Sequence, residues 1–293
     1  MRLPHGFGHR TPVVDLASRC PSAARSSFTF VPLSWGFEEG LPVDLDRFLA
    51  ELADWSIQHD VSAQTYRYGP LPDHEADLRL PPDATPRGLV VVIHGGFWRS
   101  RFGRDTTRAI CVDLAQRGWA SWNVEYRRVG TGGGVPETLD DITAALLYLD
   151  ELAPVGDVPV VLLGHSAGGH LALWAAGTRP VAAVVPLGGV CDLAEAARLG
   201  IGDGAALDFV GGTPEQRPEL YDLADPARRL PSGSPALVVH GSDDDRVPPE
   251  LSRRYAQAAH EAGDPCQLLE LEDVGHFEVI DPRTATWSTI VQG

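Results

Sequence analysis

The hydrophobic positions of this chain follow two alternating spacings from about residue 88 onward. Short, unbroken apolar runs are typical of buried parallel strands, and apolar positions three and four residues apart are typical of amphipathic helices. The predicted parallel strands are 89–93, 119–125, 158–163, 181–187, 236–240 and 267–271. The predicted helices between and after them are 104–117, 136–152, 167–177, 249–262 and 282–290. Repeated β-α-β units predict an α/β fold, with a mostly parallel central sheet and helices on both faces.

Three segments depart from this alternation. Residues 1–40 hold scattered proline, serine and arginine without sustained periodicity, which predicts an irregular N-terminal extension. Helical spacing starts near Leu45, and two short antiparallel strands are predicted ahead of the parallel ones, at 64–68 and 76–80. Residues around 190–230 carry short helical pieces broken by glycine and proline, which predicts an insertion that forms a small partial cap. We therefore expect a single domain over 41–293 that contains this insertion.

Composition narrows the classes of function. The chain has 293 residues and is 43% hydrophobic, which suits one large buried core. Its formal net charge of −16 argues against nucleic acid or an anionic membrane as a partner, because both attract a basic face. No apolar run approaches the roughly 18 residues that span a bilayer, and residues 1–30 hold no continuous apolar signal segment. A cytoplasmic protein is therefore expected.

Two residue types further restrict the chemistry. All 24 basic residues are arginine, and the absence of lysine removes Schiff-base chemistry and any serine–lysine pair. The four cysteines are Cys20, Cys111, Cys191 and Cys266. They are far apart and form no C-x-x-C pair, so we expect reduced thiols. Four histidines fall near the predicted site: His94, His165, His170 and His240. Their spacing lacks the H-E-x-x-H pattern and no acidic or thiol ligand accompanies them, so no metal is expected.

The pentapeptide Gly-His-Ser-Ala-Gly at 164–168 lies between a predicted strand and a predicted helix. Glycines on both sides allow a strained turn that lifts the hydroxyl of Ser166 above the sheet edge, as in a nucleophile elbow. The helix behind it aims free N–H groups, beginning with that of Ala167, at an anion formed there. Ser166 is therefore the candidate nucleophile.

A serine hydroxyl needs a base to take its proton and an acid to orient that base. His276, in Gly-His-Phe after the last predicted strand, is the candidate base. The loop after strand 236–240 begins H-G-S-D-D-D-R-V-P, and the common H-G-x-x-D-x-x-V-P layout selects Asp244 as the acid. The remaining acid candidates are Asp243, Asp245 and Asp192. The order Ser166, Asp244, His276 is that of α/β-hydrolases.

A glycine-rich loop, His-Gly-Gly-Phe-Trp at 94–98, follows strand 89–93. Glycines there let the backbone turn N–H groups toward a developing oxyanion. The candidate oxyanion-hole residues are Gly95, Gly96, Phe97 and Ala167. Trp98 and Phe277 adjoin predicted catalytic parts and are candidates for the substrate pocket. Tyr126 and Trp174 fit a pocket or the core equally, and Arg127-Arg128 is interpreted as a solvated pair rather than a substrate-carboxylate site.

Together these motifs resemble those of the α/β-hydrolases, and within them the kynurenine formamidase (arylformamidase) and small-carboxylesterase branch. The H-G-G-x-W form resembles formamidases more than lipases. The resemblance implies an α/β-hydrolase fold and a serine hydrolase that acts through an acyl-enzyme without a cofactor. It favours N-formylkynurenine-type formamidase activity, with a broad small-ester carboxylesterase as the alternative. A non-catalytic binding protein on the same fold is the third interpretation. The expected partners are a small ester or formamide substrate and, in a homodimer, a second copy of the chain.

Overall fold

The computed structural model describes residues 44–82, 85–152 and 155–292. Within this part of the chain eight strands form one sheet: β1 (Ala63–Arg67), β2 (Glu75–Arg79), β3 (Leu89–Ile93), β4 (Ala120–Val124), β5 (Val160–His165), β6 (Ala183–Leu187), β7 (Ala236–Gly241) and β8 (Cys266–Leu271). Their spatial order is β1-β2-β4-β3-β5-β6-β7-β8. Strand β2 runs antiparallel to both of its neighbours, and every other pairing is parallel. The predicted mostly parallel sheet is confirmed, while the predicted extension 1–40 lies outside the described residues.

The helices of the described chain are α1 (Leu45–Gln58), α2 (Arg108–Gln116), α3 (Glu137–Leu147), α4 (Ala167–Ala176), α5 (Leu193–Arg198), α6 (Ile201–Val210), α7 (Pro218–Ala224), α8 (Pro249–Ala262) and α9 (Ala285–Gln292). None of these described helices is long and apolar enough to cross a membrane. Predicted and observed elements agree in type and order from β1 to α9, and their ends differ by a few residues.

The sheet separates two hydrophobic cores, and β3 contributes to both. Leu89, Val91 and Ile93 belong to the core that includes α3 and α4, whereas Val90 and Val92 belong to the core that includes α2 and α9. Successive side chains of a strand point to opposite faces, so a strand covered on both faces must be apolar throughout. Each fully buried aliphatic side chain contributes about 1.5–3 kcal/mol to folding. This double burial holds the carboxyl end of β3, where the glycine-rich loop starts, in a constant position.

One predicted helix begins differently from its expected form. The segment predicted as helix 104–117 opens with a single 3-10 turn, Arg104–Thr107, and becomes α-helical at Arg108. The Arg104 carbonyl accepts a hydrogen bond from the Asn123 side chain on β4 at 2.7 Å. That side chain also accepts a hydrogen bond from the Thr107 hydroxyl at 2.8 Å. A contact with a strand, which the local pattern does not show, therefore sets this helix start.

The segment predicted as an insertion forms α5, α6 and α7. It is tied to the main body by buried hydrogen bonds: Ala224 O accepts from His170 Nε2 on α4 at 2.9 Å. The buried carboxylate of Asp225 accepts the backbone N–H groups of Leu193 and Ala194 at 3.1 and 3.0 Å. In α6 the first turn is left-handed at residues 202–204. The short helices thus pack against α4, and none of their residues lines the cavity described below.

Candidate active site

Ser166 lies in a strained turn between β5 and α4, with φ 56° and ψ −119°. The turn depends on glycine at two neighbouring positions. A Cβ on Gly164 would lie 2.0 Å from the Gly168 carbonyl oxygen, and a Cβ on Gly168 would lie 2.0 Å from the Ile93 carbonyl oxygen. Both obstacles are backbone atoms that cannot move aside. The glycines of the pentapeptide therefore allow helix α4 to approach the sheet closely enough to place Ser166 at its edge.

His276 and Asp244 form a buried pair at the ends of neighbouring strands. Asp244 Oδ2 accepts a hydrogen bond from His276 Nδ1 at 2.7 Å. Asp244 Oδ1 accepts the backbone N–H groups of Arg246 and Val247 at 2.9 and 2.8 Å. The carboxylate is therefore held by donors on both oxygens, and it fixes the imidazole with Nε2 free to face a reacting group.

The other aspartates considered from the sequence lie elsewhere. Asp192 caps α5 by accepting the Glu195 N–H at 2.8 Å. Asp243 accepts a hydrogen bond from the hydroxyl of its neighbour Ser242, and Asp245 is exposed beside Arg246. Among the four candidates, Asp244 is the one in contact with His276.

A second histidine, His240, contacts the same carboxylate, and the sequence analysis gave it no role beyond a position near the site. Its Nε2 lies 3.1 Å from Asp244 Oδ2, and its Nδ1 lies 2.7 Å from the Ser252 hydroxyl. Burial alone would raise the Asp244 pKa, but the charges and hydrogen bonds of His276 and His240 outweigh it and hold that pKa well below its ordinary range. The H-G-x-x-D spacing, which separates His240 from Asp244 by four residues, is the sequence signal that could have identified this contact.

Ser166 and His276 line one cavity. The Ser166 hydroxyl donates no hydrogen bond to any described residue, and contacts between nucleophile and base are often long until substrate binds. His165 lies behind His276 and holds its backbone: His165 Nε2 donates to the His276 carbonyl at 2.9 Å. Burial, together with the nearby His276, lowers the pKa of His165 to about 3, so this imidazole stays neutral.

The glycine-rich loop passes close to Ser166. A Cβ on Gly95 would lie 3.0 Å from the Ser166 Cβ. Gly96, Phe97 and Trp98 all have positive φ, at 107°, 53° and 54°. Left-handed backbone is costly for residues with side chains as large as those of Phe97 and Trp98, and such strain concentrates at functional sites. Among the described residues, no acceptor takes the N–H groups of Phe97 or Ala167. These two free N–H groups therefore lie on the glycine-rich loop and at the start of α4, both beside Ser166.

A buried polar network lies beneath this loop. His94 Nδ1 lies 2.8 Å from the Gly95 carbonyl, and its Nε2 lies 2.8 Å from Glu125 Oε1. Glu125 also accepts the backbone N–H of Arg104 at 3.0 Å and pairs with Arg128 at 3.0 Å. Burial opposes ionisation of Glu125, but His94 and then Arg128 overcome it and lower the Glu125 pKa to about 2. The loop is thus anchored by a carboxylate that stays ionised.

We expect this carboxylate to contribute to the loss of stability in acid. Its folded pKa is depressed, so its stabilising contribution is present above the unfolded value near 4.3 and is lost as the pH falls toward 2 and below. The Glu125→Gln variant is less stable than wild type at pH 7, and the difference in unfolding free energy shrinks by roughly 2–3 kcal/mol between pH 5 and pH 2. Urea unfolding across this range measures it. The exposed Glu261→Gln serves as the control, and a difference that does not change with pH contradicts the assignment.

The cavity is small, about 70 Å³, and mostly apolar. Its apolar lining comes from Leu45, Leu49, Phe97, Phe102, Phe277 and Ile280. Phe277 lines it, as predicted from its position beside His276. Leu45 and Leu49 come from α1, which the sequence analysis identified as a helix but did not associate with the site. The Phe48 ring of α1 lies 5.6 Å from the Phe277 ring, which secures this wall.

Trp98 does not line the cavity formed by the described residues, in contrast to the sequence prediction. Its side chain is 1% exposed and stacks on Phe209 of α6, with ring centroids 4.7 Å apart, and it meets His170 of α4 edge-on. The loop thus directs this ring between two helices, where a large aromatic surface gains more apolar contact. Tyr126 and Trp174, for which the sequence left two possibilities, are buried and donate hydrogen bonds to backbone carbonyls.

The arginine pair predicted to be solvated is engaged in ion pairs. Arg128 is 7% exposed and contacts Asp73 and Glu125, while Arg127 lies 2.6 Å from Asp141. These carboxylates, of which Asp73 and Asp141 are distant in sequence, make the burial tolerable, because a buried charge needs a partner.

The four histidines weighed as zinc ligands each have a hydrogen-bond partner. Within the described ranges, no group of three or more histidine, cysteine, aspartate or glutamate side chains is arranged to hold a metal ion.

Comparison with known proteins gives a family match and curated relatives that are esterases. Residues 76–258 match the BD-FAE family. The chain is 27% identical over 222 residues to esterase LipC of Mycobacterium tuberculosis, a match that covers 67% of this chain and 54% of LipC. The chain spans about half the length of the curated relatives it matches.

Solved structures show the same fold. A truncated carbohydrate esterase from gut microbiota superposes with a TM-score of 0.69 at 20% identity, covering 80% of this chain and 95% of that one. Esterase B from Lactobacillus rhamnosis gives a TM-score of 0.70 at 20% identity, covering 85% and 90%. The eight-stranded, mostly parallel sheet is therefore that of the α/β-hydrolase fold. The family match extends over more than half of the chain and includes the glycine-rich loop, the elbow and the aspartate loop, so the chain belongs to the BD-FAE family.

Proposed function

We propose that this chain is a serine carboxylesterase that cleaves small esters through an acyl-enzyme. The observation that carries the proposal is the buried Asp244–His276 pair, joined at 2.7 Å, whose histidine lines the same cavity as Ser166. The relatives LipC and LipQ of Mycobacterium tuberculosis and the structural neighbour esterase B are esterases, which supports the same chemistry. No cofactor takes part in the proposed reaction.

The proposed reaction runs in two halves. Ser166 Oγ attacks the ester carbonyl while His276 Nε2 takes its proton, and Asp244 stabilises the imidazolium. The N–H groups of Phe97 and Ala167, with those of Gly95 and Gly96 in the same loop, receive the negative charge of the tetrahedral intermediate. The C–O bond to the leaving alcohol then breaks and the alcohol takes the proton from His276. Water then attacks the acyl-enzyme while His276 takes one of its protons. The bond from the acyl carbon to Ser166 Oγ breaks, Oγ takes the proton back from His276, and the acid is released.

The apolar cavity beside Ser166 fits a short acyl chain. Leu49→Ala removes part of the wall contributed by α1 and so enlarges the cavity. We expect it to raise the ratio of kcat/KM for p-nitrophenyl octanoate over p-nitrophenyl acetate severalfold. The reason is that longer acyl chains gain about 0.8 kcal/mol per buried methylene. Initial rates for an acyl series from C2 to C8 measure this ratio. Ile57→Ala, on the exposed side of the same helix, is the matched control. An unchanged chain-length profile in Leu49→Ala would place the acyl group elsewhere.

Esterase activity is favoured here over arylformamidase activity, which the His-Gly-Gly-Phe-Trp loop suggested. The relatives named above are esterases, and none of them is named as a formamidase. Rates on p-nitrophenyl butyrate and on N-formylkynurenine under one set of conditions separate the two activities. Efficient ester hydrolysis with negligible formamide turnover supports the proposal, and the reverse result restores the formamidase interpretation.

Covalent labelling separates an enzyme from a non-catalytic member of the fold. We expect a fluorophosphonate to form a stoichiometric adduct on Ser166 in the folded protein, located by peptide mass spectrometry, with no adduct on Ser166→Ala. Folded protein that neither labels at Ser166 nor turns over esters would show that the chain is a binding protein.

A further inference from the structure

We infer that the esters cleaved at this site carry a carboxylate, and that Arg246 binds it. The inference rests on the proposed esterase function and adds the charge of the substrate to it. Arg246 lines the same cavity as Ser166 and His276, and it is the one arginine among the described residues that does so. The remainder of the lining is mostly apolar, so this guanidinium is the group in the cavity wall best suited to recognise a substrate anion.

The backbone fixes where Arg246 begins. Its N–H donates to Asp244 Oδ1 at 2.9 Å, so the residue is attached directly to the carboxylate that holds His276. A substrate group bound by this arginine therefore lies within one side-chain length of the reacting centre. Positioning of this kind orients a substrate, and orientation contributes to rate as well as to affinity.

The guanidinium has unused donors. Among the described residues its one ion pair joins Nε to Asp245 Oδ1 at 3.3 Å, in a geometry that makes no hydrogen bond, and no described acceptor takes its terminal nitrogens. The Arg246 and Asp245 side chains are 36% and 58% exposed, and a pair that exposed is weak. A ligand carboxylate supplies two oxygens in the spacing that a guanidinium fork matches, and the terminal nitrogens can take it without a competing acceptor.

Other arginines near the site are already occupied. Arg127 is held by Asp141, Arg128 by Asp73 and Glu125, and Arg104 by Asp77 and Glu75. Each of these has at least one carboxylate within hydrogen-bond distance. Arg246 differs from them in lining the cavity and in donating no side-chain hydrogen bond to a described carboxylate.

Matched ester pairs test the inference with wild-type protein. In the first pair the difference lies on the acyl side: methyl hydrogen succinate ends in a carboxylate, and methyl levulinate ends in a neutral acetyl group. The compounds 4-carboxyphenyl butyrate and 4-carbamoylphenyl butyrate place the same difference on the leaving group. We expect kcat/KM to be about tenfold or more higher for the anionic member of one pair, and the preference to weaken with added salt. Absence of preference in both pairs overturns the inference.

Variants then assign the preference to Arg246. We expect Arg246→Gln to lower the anionic-to-neutral ratio of kcat/KM about tenfold or more, and Arg246→Lys to restore part of it, because a lysine keeps the charge without the fork. Asp245→Asn removes the weak competing carboxylate and raises the ratio. Arg254→Gln, an equal charge change on α8 outside the cavity, leaves the ratio as in wild type.

The outcomes also separate this inference from the proposed function. If neutral esters are cleaved and the ratio is the same in wild type, Arg246→Gln and Arg254→Gln, the esterase proposal stands and the carboxylate inference fails. If no ester is cleaved and Ser166 does not label with a fluorophosphonate, the proposed function itself fails.

Discussion

Ser166→Ala is expected to lower kcat/KM for p-nitrophenyl butyrate by about 10⁴-fold or more. The reason is that the proposed reaction needs a hydroxyl oxygen to form the acyl-enzyme. Among the described residues, Thr106 is the one other hydroxyl-bearing residue that lines the cavity with His276. The residual rate reflects binding and the oxyanion hole alone, which still favour attack by water. Steady-state rates with purified protein, together with a burst of p-nitrophenol in wild type that is absent in the variant, measure the effect.

Two controls make this result interpretable. Ser100→Ala changes an exposed serine close in sequence to the oxyanion loop, and we expect its kcat/KM to equal that of wild type. Thermal unfolding of Ser166→Ala checks that the loss is chemical, because the substitution removes one oxygen and leaves the backbone of the elbow intact. If Ser166→Ala keeps more than a tenth of the wild-type rate, Ser166 is not the nucleophile.

Asp244→Asn is expected to lower kcat about 10³- to 10⁴-fold. The amide can present an N–H to the imidazole, which stabilises the wrong tautomer of His276 and leaves the imidazolium of the transition state without its counter-charge. Asp244 also accepts two backbone N–H groups and contacts His240, so the variant loses charge at a site built for an anion. Thermal unfolding of the variant, measured beside its rates on p-nitrophenyl butyrate, separates loss of the chemical step from misfolding.

The neighbouring aspartates serve as matched controls for this prediction. Asp243→Asn and Asp192→Asn make the same chemical change at the two positions that the structure places away from His276. We expect both to keep kcat/KM within about threefold of wild type, because neither side chain contacts His276. A large loss in Asp192→Asn, with Asp244→Asn nearly active, would transfer the acid role to the strand that precedes the cap.

Local patterns decided much of the architecture. The apolar runs of β3 and β5 are short, unbroken and closely flanked by glycine. This pattern favours strands that are buried on both faces of a parallel sheet. The elbow at Ser166 and the loop that starts at His94 are also local, because each depends on glycines within a few residues of the strand end. These features were predictable because their causes, hydrophobic burial and backbone freedom, act over short stretches of chain.

Distant contacts decided the rest. The H-G-x-x-D-x-x-V-P layout favoured Asp244 but left its neighbours open, and the contacts of His276 and His240 with its carboxylate are what distinguish it from them. From the sequence the pair Arg127-Arg128 is predicted to be solvated. In the folded structure Asp141, Asp73 and Glu125 lie beside it and form ion pairs.

By itself, the sequence determined the α/β fold and the placement of a serine, an aspartate loop and a histidine at one edge of the sheet, because strand ends and glycine turns are encoded locally. Only the tertiary structure decided that α1 walls the cavity, that Trp98 is core, and that Arg246 lines the cavity without donating a side-chain hydrogen bond to a described carboxylate. Those outcomes depend on which surfaces meet after the chain has folded, and side-chain burial and pairing between distant segments leave no periodic trace in the sequence.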